Sequence, residues 1–369
     1  MMKVCHLTSA HPRFDSRIFF KECASLKNAG YEVSLVVADG MGEEVKNGIN
    51  IHDVGRSRGR LNRMYATTRR VFQRAILVDA DIYHIHDPEL IPVGRKLLRH
   101  NKKVIFDAHE DLPKQILAKS YMNVVVRHVL SRVFYLYEHI VLSKFTGVIA
   151  ATPFIRDKFL RINSNVVDIN NFPILGELTD GVPAQQSLSP NVCYVGGISK
   201  NRGILEIIDA VGRSAHDVKL LLAGVFSEPA VESQAQGMFA WKKVDALGYL
   251  DREGIRDVLQ RSLAGLVTLH PTINYIDALP VKMFEYMSAG VPVIASDFPL
   301  WRSVVIESEC GLCVDPLDSQ SIARAIDFLC ENPEQARIMG SNGQLAIKNK
   351  YNWQIEEWKL LNYYKALGR

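Results

Sequence analysis

What the chain lacks narrows it first. No apolar run approaches the roughly 20 residues that a membrane-spanning helix needs. The opening residues MMKVCHLTSAHP hold no long apolar core and no small-residue cleavage site, so no signal peptide is expected and a cytoplasmic location is the default. Cysteine is scarce: six in 369 residues, without the spacing of a disulfide framework. One pair, Cys310 and Cys313 in ECGLCVDP, has the spacing of redox and metal motifs, but no second pair accompanies it. Its apolar neighbours favour small buried side chains instead, and no metal ion or other cofactor is expected. His84 and His86 alternate along one strand face, yet the sequence nominates no further ligands for a zinc site there. Internal repeats, long low-complexity tracts and nucleic-acid-binding motifs are absent too, and nucleic acid is not an expected partner.

What is present is an ordinary globular composition, 47% hydrophobic and 23% charged. At 369 residues the chain exceeds the size at which a single core keeps growing, so two domains are expected. Charge divides unevenly along it. Residues 1–175 carry 26 Lys and Arg against 17 Asp and Glu, the remainder 18 against 23, so the first half should attract anionic surfaces. Short apolar runs read as strands at 3–8, 31–38, 81–86, 103–108, 147–151 and 166–169, then at 191–196, 219–224, 244–249, 263–269 and 291–295. With amphipathic segments between them, they make two parallel α/β domains. The stretch 176–190, GELTDGVPAQQSLSP, reads as a linker. The expected layout is a first domain over 1–175, a second over 191–350, and a closing helix in 351–369. Ligands of parallel sheets sit beyond the carboxyl ends of the strands, which directs attention to Ser9–Arg17, to Asp87 and to the residues after Ala108.

Asp277 to Ser296, DALPVKMFEYMSAGVPVIAS, reads as loop, helix, turn and buried strand, with Pro280 opening the helix and Gly290 stopping it. Lys282 falls in the first turn, where free amides and the helix dipole favour an anion. Asp277 and Glu285, eight residues apart, add two carboxylates suited to sugar hydroxyls. The combination suits a nucleotide diphosphate carrying a sugar; an amphipathic helix with exposed Lys282 and Glu285 fits the same spacing.

This stretch resembles the signature of glycosyltransferase family 4, retaining enzymes of the GT-B fold: an acid pair followed by GVPVIAS at 290–296. The resemblance extends to the strand and loop at 191–203, to Lys103–Ala108 with His109-Glu110-Asp111 behind it, and to the His-x-His strand at 81–86. It implies two Rossmann-like α/β domains facing a central cleft. The reaction implied is transfer of a sugar from a nucleotide-sugar donor to an acceptor hydroxyl, with retention at the anomeric carbon. Residue by residue, it implies Glu285 on the ribose and Asp277 at the donor sugar, one methylene shorter than the usual Glu. Arg202 stands where a phosphate-binding Lys is usual, and Gly197 where an Arg is usual. Lys282, with the amides near Met283, would then be the second group on the diphosphate. Tyr249 and Leu250 would lie near the base and ribose, and His109 beside the donor sugar. Asp87 and Glu110 would be acceptor-side, and Arg17, in a loop where the family often carries glycines, fits either a phosphate contact or a solvated surface position. Catalysis would rest on His109, Asp277, Arg202 and Lys282, by front-face attack that needs no side-chain nucleophile and no metal.

Two further segments bear on the acceptor. Residues 56–74 hold seven arginines interleaved with Leu61, Met64 and Tyr65, a basic amphipathic pattern. Residues 121–145 are apolar but punctuated by Arg127, His128, Arg132, His139 and Lys144, which fits either a core-packing helix or an interfacial one. Together they suit a saccharide acceptor on a polyprenyl diphosphate at an anionic membrane surface, with O-antigen, capsule or exopolysaccharide the product; the family resemblance, not these segments, favours UDP as the donor nucleotide. Two other readings share the architecture: a nucleotide-sugar epimerase, and a catalytically silent nucleotide-sugar-binding subunit.

Overall fold

The computed structural model describes residues 1–119, 122–178 and 190–368, so most of the expected linker, 179–189, lies outside the described residues. The chain divides into two compact units, Met1–Asn171 with Trp353–Arg369, and Phe172–Asn352. The first unit ends at Asn171 rather than 175 because Phe172 belongs to the second core, its ring 4.7 Å from Phe284 and 5.4 Å from Tyr351.

The first unit is an eight-stranded sheet built from β1 (Lys3–Leu7), β2 (Glu32–Val37), β3 (Glu44–Lys46), β4 (Ile49–Asp53), β5 (Ile82–Ile85), β6 (Lys103–Ala108), β7 (Gly147–Ala150) and β8 (Val166–Asp168). Their order is β3-β4-β2-β1-β5-β6-β7-β8, parallel except for the β3–β4 hairpin. That hairpin turns at Asn47-Gly48, both with positive φ (52° and 72°), the two-residue turn that matches strand twist. Strand alternation sorts the sheet's two faces. Cys5, Leu7, Tyr83, Ile85, Val104 and Phe106 enter an apolar core on one side. On the other, His6, His84 and Asp107 are buried without any exposed surface. The order of strands reverses between β1 and β5, so the loops after these two strands meet at the switch point.

Helix α1 (Val124–Leu142) departs from a core-packing role. Its buried residues are Ser131, Glu138, Val141 and Leu142, whereas Val125, Val129, Val133, Leu136 and Ile140 face outward. Ser131 donates to Pro113 O and Lys158 donates to Glu138, so polar contacts hold much of the inner side, with Val141 and Leu142 entering the apolar core at its end.

The second unit is a six-stranded parallel sheet: β9 (Asn191–Val195), β10 (Lys219–Ala223), β11 (Val244–Gly248), β12 (Ala264–Val267), β13 (Val293–Ser296) and β14 (Gly311–Val314). Its order, β11-β10-β9-β12-β13-β14, places the switch point at the end of β9. Helix α2 (Ile204–Arg213) follows β9 after a tight loop, and α3 (Val281–Ser288) precedes β13. The closing helix α4 (Trp353–Leu367) belongs to the first unit. There Trp353 Nε1 donates to Ser25 Oγ at 3.0 Å, and Glu356 accepts from the Asn170 amide at 2.8 Å.

Candidate active site

In the first unit, a pocket of about 260 Å³ opens at the switch point, lined by His11, His86, Asp87, Asp107, His109 and Glu110 among others. His109 stands just past β6 and is partly exposed; its Nε2 lies 2.9 Å from Asp107 Oδ2 and 3.3 Å from His86 Nδ1. Glu110 is exposed at the pocket's edge. Asp87 is 3% exposed, and its Oδ2 accepts from Thr8 Oγ1 at 2.8 Å and from the amides of Ser9 and Ala10 at 2.6 and 3.2 Å. One carboxylate oxygen is therefore committed to holding the first loop, and only Oδ1, 3.4 Å from His11 Nε2, faces outward contacts.

Arg17, expected at a phosphate, is placed elsewhere. It is 3% exposed, and its Nε and Nη2 each donate to Asp107 at 2.9 Å while Nη1 donates to Ile169 O at 2.7 Å. Glu22 Oε1 lies 3.1 Å from Arg17 Nε. The reason is electrostatic: two buried carboxylates require a cation more than solvent can compensate. Burial pushes Asp107 upward, but Arg17 and His109 hold it well below the usual carboxylate range. Glu22 goes the other way, raised by burial and by Asp107. His86 is pulled down to about 4 by burial and is neutral at pH 7.

In the second unit the loop after β9 gathers the residues expected at a donor. Gly196 adopts φ 114°, and a side chain on neighbouring Gly224 (φ 151°) would put its Cβ 2.0 Å from Gly196 O. Only glycine admits this approach. The Gly197 carbonyl accepts from Tyr194 Oη at 2.7 Å and from Arg202 Nη1 at 2.9 Å, so the residue that replaces an expected cation anchors the neighbouring one. Lys282, in the first turn of α3, points back to this loop. Its ammonium lies 3.4 Å from the Tyr194 ring centroid, is enclosed, and has no hydrogen-bond partner among the described residues. Enclosure, then the Arg202 charge, lowers its proton affinity well below the ordinary lysine value. A desolvated cation–π contact supplies about 2 kcal/mol, less than the several kcal/mol that desolvating an ammonium costs. The arrangement is suited to an anion.

The Met283 amide already donates to Pro280 O at 3.0 Å, and the residue is fully buried, so of the amides near it this one is engaged within the helix turn. Glu285 is mostly buried and accepts from Arg252 Nη1 at 2.6 Å, and Arg252 also bridges to Glu177 at 2.7 Å. Asp277 is half-buried in the loop before α3, and Trp301 Nε1 pins that loop by donating to Ala278 O at 2.7 Å. Tyr249 is 82% exposed, and Leu250 packs against the core beside it. Thus Gly197, Arg202 and Lys282 come together at one loop, with Asp277 and Glu285 on α3 and its approach. His109, Glu110 and Asp87 share the first unit's pocket. Sequence reading missed Asp107, His11, Tyr194 and Arg252. Only Asp107, two residues before His109 at a strand end, carried a local signal.

Comparison with known proteins accords with this geometry. The family model "Glycosyl transferase 4-like domain" matches residues 19–170, and "Glycosyl transferases group 1" matches 183–346, so the two span most of the chain. A phosphatidyl-myo-inositol mannosyltransferase of Mycobacterium leprae is 25% identical over 79% of this chain and 74% of its own. The D-rhamnosyltransferase WbpZ of Pseudomonas aeruginosa is 26% identical over 75% and 71%. Among solved structures, sucrose-phosphate synthase from Thermosynechococcus elongatus superposes with TM-score 0.78 at 18% identity, covering 100% and 99% of the two chains. Anabaena Alr3699/HepE in complex with UDP and glucose does so with TM-score 0.77 at 16% identity, covering 99% and 100%. At such identities these structures speak for the fold. Two parallel-sheet units, a glycine loop at a switch point and two matching family models lead to one assignment: the chain belongs to the GT-B glycosyltransferases of the family 4 type.

Proposed function

We propose that the protein transfers a sugar from a nucleotide-sugar donor, UDP-linked by preference, to a lipid-carried saccharide, retaining the anomeric configuration. The observation that carries this is the enclosed, unpartnered Lys282 ammonium beside Arg202 at the Gly196-Gly197 loop. As the glycosidic bond loosens, negative charge grows on the leaving diphosphate, and cations already fixed there stabilise it more than they stabilise the ground state. Glu285 would exchange Arg252 for the ribose hydroxyls. The His109 nitrogen not facing Asp107, Nδ1, is the one left for a sugar hydroxyl. With front-face attack, the departing phosphate oxygen takes the acceptor's proton, so no side-chain base is required.

The lipid part of the proposal draws on the first unit's surface. Outward Val125, Val129, Val133, Leu136 and Ile140 lie on one helix with exposed Arg132, and Leu61, Met64 and Tyr65 are exposed among Arg56, Arg58, Arg60 and Arg69. Apolar side chains flanked by arginine suit a surface of anionic lipid. No described helix is long and apolar enough to cross a membrane.

The test is a thermal-shift panel of UDP, GDP, ADP and their hexose conjugates on wild type and Lys282→Ala, followed by product analysis. UDP or its conjugate should raise the melting temperature of wild type alone. No shift with any nucleotide would remove the donor site; an epimerised donor or an inverted glycoside would remove the reaction proposed.

A further inference from the structure

His84 and His86 alone are two ligands short of a metal site, and the fold brings up two more. Register between β1 and β5 sets His6 opposite His84, and the helical segment Ile18–Cys23 contributes Glu22. All four side chains are enclosed, none more than 2% exposed. His6 Nδ1, His84 Nδ1 and His86 Nε2 lie 3.9, 3.8 and 3.9 Å from Glu22 Oε2, and one ligand atom from each residue fits within a span of 4.8 Å. Ligand atoms on a tetrahedral zinc ion, bonded at about 2.0–2.1 Å, stand about 3.3 Å apart, so the three distances to Glu22 Oε2 exceed that spacing by about half an ångström.

We propose that His6, Glu22, His84 and His86 form a buried structural site for one divalent transition-metal ion, with zinc the best match to three imidazoles and a carboxylate. Hydrogen-bond accounting supports it. Among the described residues neither Glu22 oxygen accepts a hydrogen bond, though Oε1 lies 3.1 Å from Arg17 Nε, and Nε2 of both His6 and His84 lacks a partner; the ion would replace the contact of His6 Nδ1 with His86 Nε2 at 2.9 Å. Each unmet buried group costs on the order of 1–3 kcal/mol, and native interiors rarely carry several in contact. Arg17 lies 2.9 Å from Asp107 and 3.1 Å from Glu22 Oε1, which leaves Glu22 Oε2 as the oxygen turned to the three imidazoles. His86 turns its other nitrogen, Nδ1, to Asp107 Oδ2 at 3.2 Å, the outer carboxylate that orients metal-bound imidazoles. From α4, Tyr364 Oη lies 2.9 Å from His84 Nδ1 and would yield that nitrogen to the ion. Four protein ligands leave no open position, so the ion would tie β1, β5 and the segment 18–23 together rather than take part in sugar transfer.

The full chain, purified without a polyhistidine tag, should hold about one zinc per chain by elemental analysis after dialysis. Stripping with a chelator should lower the melting temperature, and Zn²⁺ or Co²⁺ should restore it, with Co²⁺ giving the visible bands of tetrahedral coordination. Glu22→Gln should weaken retention by about tenfold or more, while His100→Ala, at an exposed histidine, should retain the ion. If Glu22→Gln fails to fold, stripping and reloading the wild type still decides. Less than a tenth of an equivalent in the wild type, with no thermal or spectral response to either ion, would overturn the proposal. So would Glu22→Gln and His84→Gln variants that bind as the wild type does.

Discussion

Replacing Arg17 by methionine keeps the stem and deletes the guanidinium, which separates a structural arginine from a phosphate-binding one. The change removes two bonds to Asp107 and one to Ile169 O, and leaves Asp107 and Glu22 buried without their cation. Removing one partner of a buried ion pair costs about 3–5 kcal/mol. For a unit of this size each kcal/mol shifts the melting temperature by about 2–4 °C, so the first unit's transition should fall by roughly 6–20 °C. The deficit should depend on pH. In the wild type, Asp107 is held below its unfolded value, so its contribution is present above the usual 3.8 and is lost as pH falls through the folded value. Without Arg17, burial is less opposed and Asp107 shifts upward, so the variant is penalised for ionising it. The stability gap between the two proteins should therefore be widest near neutral pH, begin to narrow above the usual 3.8 where Asp107 of the variant protonates, and close below it where the wild-type group does. Thermal and urea unfolding across that range would measure it, with UDP affinity followed by calorimetry. Unchanged stability with a tenfold loss of UDP affinity would refute the reasoning and return Arg17 to the donor phosphate.

Other expectations are as direct. Donor diphosphate should restore the proton affinity that enclosure lowers at Lys282, so UDP binding should take up protons between that lowered value and the usual 10.5, and weaken as pH rises through this window. Calorimetry in buffers of different ionisation heat would detect it, and zero uptake would contradict the assignment. Gly224→Ala should cost the second unit about 3 kcal/mol or more because its Cβ meets Gly196 O, whereas Gly248→Ala, at positive φ with open space, should cost about 1–2 kcal/mol. Equal losses by urea unfolding would show that backbone overlap is not what constrains the loop. Val129→Glu with Leu136→Glu, at positions 55% and 58% exposed, should abolish cosedimentation with anionic liposomes and leave the melting temperature within about a degree. Undiminished liposome binding would exclude α1 from the membrane contact.

The amino-acid sequence by itself determined the two-unit α/β plan, because strand and helix periods are local: VCHL, YHIH and VIFDA could only be short buried strands, and Gly290 could only close a helix before the next one. The resemblance carried by its motifs also pointed to Gly197, Arg202, Lys282 and Glu285 as candidates, and the structure brings Gly197, Arg202 and Lys282 to one loop. The Asn47-Gly48 hairpin was legible from its local residues, although only the structure drew attention to it. Tertiary structure alone decided which polar groups are enclosed. Arg17 and Asp107 are 90 residues apart, and nothing near either in the chain reports that they meet behind His109. Helix α1 shows the same limit from the other side: an apolar period marks a face, but only packing decides whether that face turns to the core or to the outside. Burial sums contacts from many distant segments, and so do the proton affinities of Lys282 and the His6–Glu22–His84–His86 cluster.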